Sequence, residues 1–262
     1  MSGAQIRLGA VGYLNARPLV YQLDRSPNFS LRFDIPSKCA ELLHAGDIDV
    51  GLIPSIEYLR GKPMAIVPGI AIASRGAVTS VMLYTTKPIE DVKSIAMDTS
   101  SRTSVALVRV LCAKLFKINP TFEPLGPNLE GMLAAHDAAL LIGDPALFQS
   151  IRPSIDVIDL GEQWLRLTGL PFVYAFWAGR SDALTPAHVK ELQDTRDRGL
   201  ANADDVAQQY LKDAPNRWAL GARYLRENIK YYLGDEEKAG LEQFYRYAAE
   251  IGVAPQGVVR FY

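Results

Sequence analysis

The sequence predicts an α/β protein of two lobes with a ligand cleft between them, the first lobe built discontinuously. Three observations lead there. Strand and helix patterns alternate through the first third of the chain, a second α/β series starts near residue 94, and the stretch from Thr185 to Ile251 is nearly all helix. Alternation of this kind signals parallel sheet with crossover helices. β segments near residues 78–85 and 172–178 stand where the chain would cross and return, which gives residues 1–84 plus 173–262 as lobe one and 85–172 as lobe two. Such a molecule binds its ligand between the lobes and closes by a hinge. The competing plan is one doubly wound domain with a helical appendage.

Each element has a local reason. Strand "IRLGAVG" precedes "PLVYQLD", and strand "LRFDI" precedes helix "PSKCAELLHAG", with Pro36 suited to the first turn and Gly46 to the end. "DIDVGLIP" is a short apolar strand, and Ser55 opens the helix "SIEYLRG". "MAIVPGIAIASRGAVTSVMLYT" is β-rich and broken by Pro68, Gly69 and Gly76. The second series runs through "SIAM", "SRTSVALVRVLCAKLF", "TFEPL", "NLEGMLAA", "AALLIG" and "DPALFQSI". After "SIDVIDLGEQWLRLTGLP", which receives no element, comes the aromatic strand "FVYAFWAG". Three amphipathic segments follow, and they either cover lobe one or form a dimer face.

The totals narrow the function. At 262 residues, 48% hydrophobic and 22% charged, the chain has ample material for a core. Its net charge of 28 − 29 = −1 gives no footing for nucleic acid or an anionic membrane surface. No stretch approaches the roughly 18–20 apolar residues of a membrane span. The start "MSGAQIRLGAVGYLNARPL" lacks the basic segment and apolar run of a secretory signal, so the cytoplasm is expected. Cys39 and Cys112 sit in helix-like apolar patterns and are expected as core thiols.

No dinucleotide or P-loop glycine motif, no G-x-S-x-G elbow and no metal-ligand spacing among His44, His136 and His188 is present. What remains is small polar groups where strands end, the usual place for ligands in α/β proteins. "GYLNARPL" puts Asn15 and Arg17 directly behind the first strand. Asn15 either stabilises the turn or aims a donor and an acceptor into the cleft. In "MDTSSRTSVALVRVL", the free N–H groups of a helix starting near Arg102, with hydroxyls from Ser101, Thr103 and Ser104, form a carboxylate or phosphate seat, or simply a capped helix. Ser55 follows a strand and Ser80 lies on a β segment leading into lobe two; each is a cleft donor or a local hydrogen-bonding hydroxyl. "LLIGDPAL" ends a strand at Gly143 and Asp144, where Asp144 is a natural N-cap. Phe172 and Tyr174 either pack the core or wall the cleft, and Trp164 has no assignment.

The order of "GAVGYLNARPL", "PSKCAELLHAGDIDVGLIPSIEYL", "DTSSRTSVALVRVL", "LIGDPAL" and "GLPFVYAFWAGR" resembles the chorismate dehydratase family of menaquinone biosynthesis, in its futalosine branch, from about residue 6 to the C-terminal "GVVRFY". The resemblance implies a fold similar to periplasmic binding proteins, working in the cytoplasm as an enzyme. The implied reaction is loss of water from chorismate to give 3-[(1-carboxyvinyl)oxy]benzoate, with no cofactor and no metal. In the sister 1,4-dihydroxy-6-naphthoate synthases a histidine is expected just after the strand that here reads "LLIGDP", where this chain has Gly143.

The resemblance places Asn15 at the reacting centre. A neutral carboxamide is a poor base, so Asn15 is expected to orient the leaving hydroxyl or the enolpyruvyl group. The proton acceptor is then the substrate's own side-chain carboxylate, or Asp144. Ser101, Arg102 and Thr103 are expected to seat one carboxylate of this dicarboxylate substrate, with Ser80 and Ser55 supporting the other and Gly143 at the cleft wall. Arg17 belongs near the cleft mouth or pairs with a neighbouring carboxylate. The partner is a small molecule, with no nucleic acid and no membrane, and the chain acts as monomer or homodimer. The rival from another class is a non-catalytic solute-binding protein for a small organic anion, because fold does not fix function.

Overall fold

The computed structural model describes residues 5–262, so the first four residues of the N-terminal stretch and of the 1–84 range lie outside the described residues. β1 (Ile6–Val11) ends in a 3-10 turn, Leu14–Val20, with Pro18 inside it. β2 (Phe29–Asp34) returns beside β1, and α1 (Pro36–Ala45) crosses to β3 (Val50–Pro54). Gly46 ends α1 at φ +83°, the left-handed position that glycine adopts at no steric cost. β1 pairs in parallel with both β2 and β3. β4 (Ala65–Ile66) and β5 (Ile72–Ser74) are short, separated by the Pro68–Gly69 break.

The second sheet starts with β6 (Val81–Thr85) and β7 (Ser94–Asp98), followed by α2 (Arg102–Leu111), β8 (Thr121–Leu125), α3 (Leu129–Ala135), β9 (Ala138–Ile142) and α4 (Gly143–Leu147). β10 (Asp156–Asp159) and α5 (Leu160–Thr168) complete it, in the strand order β10-β6-β9-β7-β8. Residues 81–84, counted with lobe one from the sequence, pair here instead. β6 lies antiparallel between β9 and β10, and its run VMLYT is mostly buried as a central strand requires. The stretch without a predicted element is β10 and α5. Asp159 links them to the crossing, because its carboxylate accepts N–H bonds from Gly161 and Glu162 (2.9 and 3.1 Å) and from Val78 and Thr79 (3.1 and 2.7 Å).

β11 (Phe172–Gly179) then returns to the first sheet, antiparallel to β3, β4 and β5, giving the order β2-β1-β3-β11-β4 with β5 also on β11. The helical region is α6 (Pro186–Ala201), α7 (Ala203–Tyr210), α8 (Trp218–Arg223) and α9 (Asp235–Glu250), so the first of the three expected segments is two helices broken at Asn202. α6 lies on the 3-10 turn through Gly199, where a Cβ would stand 2.1 Å from the Pro18 carbonyl oxygen. Phe172 is core: its ring meets Trp164 at 5.2 Å and Phe244 of α9 at 4.8 Å between centroids. Fully burying each such side chain contributes about 1.5–3 kcal/mol, which fixes the helical region onto the first sheet. Cys39 and Cys112 are buried free thiols, and burial pushes both up to about 12. Among the described residues no helix is long and apolar enough to cross a membrane.

Candidate functional site

The carboxyl ends of β1 and β3 face those of β7 and β9 across a cavity. Val11, Pro54, Ile72 and Ala175 line it from the first sheet, and Val81 and Ile142 from the second. The polar wall consists of Tyr13, Asn15, Ser80, Ser101, Ser104 and Tyr174, with Gly143 beside them, and no lining side chain is charged. Its free volume of about 40 Å³ holds on the order of two or three water molecules. The space between the two sheets is narrow at this point.

Asn15 stands on the 3-10 turn and its Oδ1 is buried without a hydrogen-bond partner. No protein group donates to this acceptor, which leaves it available to a donor in the cavity. The turn is held on both sides of this residue: the Leu14 N–H donates to Asp144 Oδ1 (3.1 Å) and the Tyr231 hydroxyl to the Asn15 carbonyl (2.9 Å).

Opposite, α2 starts with Ser101 as its N-cap. The capping bond from the Ser104 N–H to Ser101 Oγ is 3.5 Å long, and the two hydroxyls lie 3.2 Å apart. At that length the bond is slack. The first-turn N–H groups of this ten-residue helix, at the positive end of its dipole, remain free to meet an anion together with the two hydroxyls.

Arg102 and Thr103, expected in that seat, and Ser55, expected to support the other carboxylate, do something else. Arg102 turns to Glu57 and Glu41, 2.9 Å from each. Thr103 Oγ1 accepts from the Ile56 N–H (3.1 Å) and lies 3.3 Å from Ser55 Oγ, which donates to the Val173 carbonyl (2.8 Å). All three tie the start of α2 to the end of β3. The reason for Arg102 is Glu57, only 1% exposed. Burial opposes its ionisation, but His44, Arg60 and Arg102 together hold its carboxyl below the usual range.

Arg17 also leaves the cavity. It donates to the Gly12 carbonyl (2.9 Å), and its guanidinium lies between the rings of Phe33 (4.3 Å) and Tyr210 (4.7 Å) on an outer groove. Cation–π contact explains this position without any carboxylate partner. Asp144 is not an N-cap, because α4 already begins at Gly143. Its carboxylate bridges the two sheets, taking the Leu14 N–H on Oδ1 and the Tyr210 hydroxyl on Oδ2. Burial pushes its pKa up, against the Tyr210 and Leu14 bonds and the charge of Arg17. Gly143 is at φ +64°, and a Cβ there would meet the Tyr13 ring at 2.7 Å. No side chain fits at 143 while Tyr13 occupies that space.

Ser80 reaches the cavity, as expected of a donor there. Its hydroxyl lies 2.7 Å from that of Tyr224, and its carbonyl accepts from the Gly143 N–H at 2.7 Å. Sequence reasoning singled out neither Tyr13, on the cavity wall, nor Tyr224, whose hydroxyl meets Ser80. Tyr224 sits in a helical pattern where an aromatic reads as core, and Tyr13 in a turn with no second feature to mark it. Tyr174 does wall the cleft, bonded to Ser74 Oγ at 3.0 Å, and burial holds its phenol well up. Among the described residues no group of three or more His, Cys, Asp or Glu is set to hold a metal ion.

The profile of a menaquinone-biosynthesis family matches residues 6–250. This chain belongs to that family. Two proteins similar to this chain are named chorismate dehydratase. The one from Thermus thermophilus is 31% identical, covering 90% of this chain and 93% of its own, and the one from Campylobacter jejuni is 28% identical, covering 94% and 99%. Among solved structures, protein AF1704 from Archaeoglobus fulgidus superposes with a TM-score of 0.76 at 17% identity, over 95% of this chain and 98% of that one. The alkanesulfonate-binding protein SsuA of Xanthomonas axonopodis gives 0.67 at 18% identity, over 97% and 96%. These likenesses show the fold, which is that of periplasmic binding proteins.

Proposed function

We propose that this member of the menaquinone-biosynthesis family is a chorismate dehydratase, taking water out of chorismate to give 3-[(1-carboxyvinyl)oxy]benzoate by the futalosine route. One observation carries the reading: the cavity offers a helix start, several hydroxyls and the unpartnered Asn15 oxygen, with no charged side chain on its wall. That wall suits a reaction in which the substrate brings its own charges. The full-length match to dehydratases from two other bacteria supports the same choice.

The chemistry follows from the wall. The C–H on the ring carbon that bears the enolpyruvyl ether is vinylogously acidified by the ring carboxylate. When that bond breaks, the electron pair moves through the diene onto the carboxylate. The neighbouring C–O bond then breaks, hydroxide leaves with a proton as water, and the ring becomes aromatic. We place the ring carboxylate at the start of α2, with Ser101 and Ser104, where fixed donors stabilise the growing charge. Asn15 orients the leaving hydroxyl. Asp144 does not line the cavity and both its oxygens are engaged, which leaves the substrate's enolpyruvyl carboxylate as the proton acceptor. No cofactor is needed for these steps, and a biosynthetic enzyme of this kind works in the cytoplasm.

The two sheets serve as the two lobes in this reading, residues 1–84 with 173–262 and residues 85–172, with the crossing moved ahead of β6. Chorismate is far larger than this cavity, so in this reading the lobes part on entry, breaking the Leu14–Asp144 and Arg102–Glu57 contacts. The deciding experiment incubates the protein with chorismate alone and follows products by chromatography and mass. Loss of the mass of one water with gain of a benzoate chromophore is expected. Unchanged chorismate that still raises the melting temperature would make the protein a binding protein, and no effect at all would discard the ligand.

A further inference from the structure

The chain passes from the first sheet to the second through residues 75–80, between β5 and β6, and one residue there is held against its own preference. Among the described residues three other than glycine have a positive φ, Gln22, Thr79 and Lys117, and Thr79 (φ +59°) is the β-branched one. A β-branched side chain crowds the backbone in this left-handed region, which makes such a residue an outlier. Its own side chain does not hold it there, because no protein group bonds to the buried Thr79 Oγ1. The holding group is Asp159. Its Oδ2 accepts the Thr79 N–H at 2.7 Å and its Oδ1 the Val78 N–H at 3.1 Å, while Oδ1 also caps α5 through the N–H groups of Gly161 (2.9 Å) and Glu162 (3.1 Å). Asp159 is buried, and the first turn of α5 stands hard against the crossing: a Cβ on Gly161 would lie 2.5 Å from the Gly76 carbonyl oxygen.

The constrained residue sits between two that line the cavity, Val78 and Ser80. Rotation about its φ swings Ser80 relative to Val78. Ser80 is in turn docked at both ends, its carbonyl on the Gly143 N–H and its hydroxyl on that of Tyr224, each at 2.7 Å. We propose that Asp159 is a positioning residue: by holding Thr79 left-handed it fixes Ser80 at the cavity wall. Strain at a functional site persists only where the surroundings impose it. Here one buried carboxylate imposes it and ties it to α5, so Ser80 is set before a ligand arrives. Without the carboxylate, Thr79 relaxes to the extended region and carries Ser80 out of place. The substrate used in the test rests on the dehydratase reading; the backbone geometry does not.

The test is Asp159→Ser. Serine caps a helix about as well as aspartate, so α5 keeps its cap, but one short hydroxyl cannot also hold the Val78 and Thr79 N–H groups. In NMR spectra of isotope-labelled protein without ligand, the backbone shifts and three-bond coupling of Thr79 are expected to read left-handed in the parent and extended in Asp159→Ser. With chorismate, kcat/KM is expected to fall about five- to thirty-fold, the factor by which a residue other than glycine avoids the left-handed region. Adding Thr79→Gly to Asp159→Ser should restore kcat/KM to within about two-fold of the parent, because glycine takes positive φ as readily as negative. A carboxylate that only capped α5 would give no such rescue. A left-handed Thr79 in Asp159→Ser, or a double variant no better than Asp159→Ser alone, would overturn the proposal. If the parent protein does not turn over chorismate, the dehydratase reading falls and the Thr79 backbone still decides what Asp159 does. If Asp159→Ser does not fold, Thr79→Gly alone takes its place: its melting temperature is expected level or higher, because the strained side chain is gone, and a fall of several degrees counts against.

Discussion

The Leu14 N–H donates to Asp144 Oδ1 across 3.1 Å, joining the turn that carries Asn15 to the start of α4 on the other sheet. The Tyr210 hydroxyl takes the second carboxylate oxygen. In the proposed reading this carboxylate clamps the Asn15 turn and leaves the proton to the substrate. Asp144→Asn keeps an acceptor for Leu14 and offers Tyr210 an N–H in place of an oxygen. Activity is expected within about ten-fold of the parent. Asp144→Ala strands the Leu14 N–H, with about 1–3 kcal/mol lost in denaturant unfolding and a lower kcat. A drop on the order of a thousand-fold in Asp144→Asn, with melting unchanged, would return this carboxylate to the chemistry.

Arg102 separates two readings of the same helix start. It pairs with Glu57 and Glu41, and Glu57 is 1% exposed. Removing the cation leaves a buried carboxylate with only Arg60 and His44 beside it. Arg102→Gln should therefore lower stability by about 1–3 kcal/mol while the KM for chorismate changes only a few-fold, about the scale of a second-hand shift of α2. A KM raised on the order of a hundred-fold at unchanged stability would mean that Arg102 holds substrate.

How much of this was legible in the sequence depends on the range of the interaction. Asn15 and Ser101 follow strands, and Ser80 leads into one; local pattern found all three, because strand ends converge wherever two α/β units face each other. Arg17, Arg102 and Thr103 stood at the same kind of position and were drawn elsewhere, Arg17 by the Gly12 carbonyl and the rings of Phe33 and Tyr210, Arg102 by Glu57 and Thr103 by Ile56, the last two being far away in sequence. Nothing within a local window shows that Glu57 is buried and needs a cation. Tyr224 is the same case reversed: an aromatic on a helical stripe reads as core, and only its meeting with Ser80 sets it apart. The fold was more legible because periodicity is local, and its one misplaced strand, β6, was misplaced because pairing partners are not.

Acid should expose a different part of the molecule. Arg7 holds Asp49 through its Nε (3.0 Å), its Nη2 (2.8 Å) and its backbone N–H (2.9 Å). The Arg7 side-chain bond, against burial and with help from the Arg7 N–H and the charges of Arg7 and Arg180, pulls the carboxyl from 3.8 down to about 2. Between those two values the unfolded chain binds the proton and the folded one does not, so folding weakens as pH falls. Stability from this pair is full above pH 3.8 and is lost towards pH 2. Asp49→Asn is expected to melt lower at neutral pH and to show a flatter melting profile through the acid window. An Asp49→Asn profile as steep as the parent's would assign the acid loss to other carboxylates, Glu57 first.

Asn15 offers the sharpest opposition of stability and function. Its Oδ1 is buried at the cavity wall and no protein group donates to it. Asn15→Ala removes the orphaned acceptor, and the melting temperature is expected to stay level or rise. Activity is expected to fall by about a hundred- to a thousand-fold, the scale of removing one preorganised hydrogen-bonding group from a reacting centre. Asn15→Asp places a charge against a substrate that already carries two, and should lose binding as well as rate. Thermal melting and steady-state kinetics on the two variants read both quantities. If Asn15→Ala melts several degrees lower and keeps its kcat, the carboxamide is a turn-forming group, and the reacting centre lies with the hydroxyls of Ser80 and Ser101 instead.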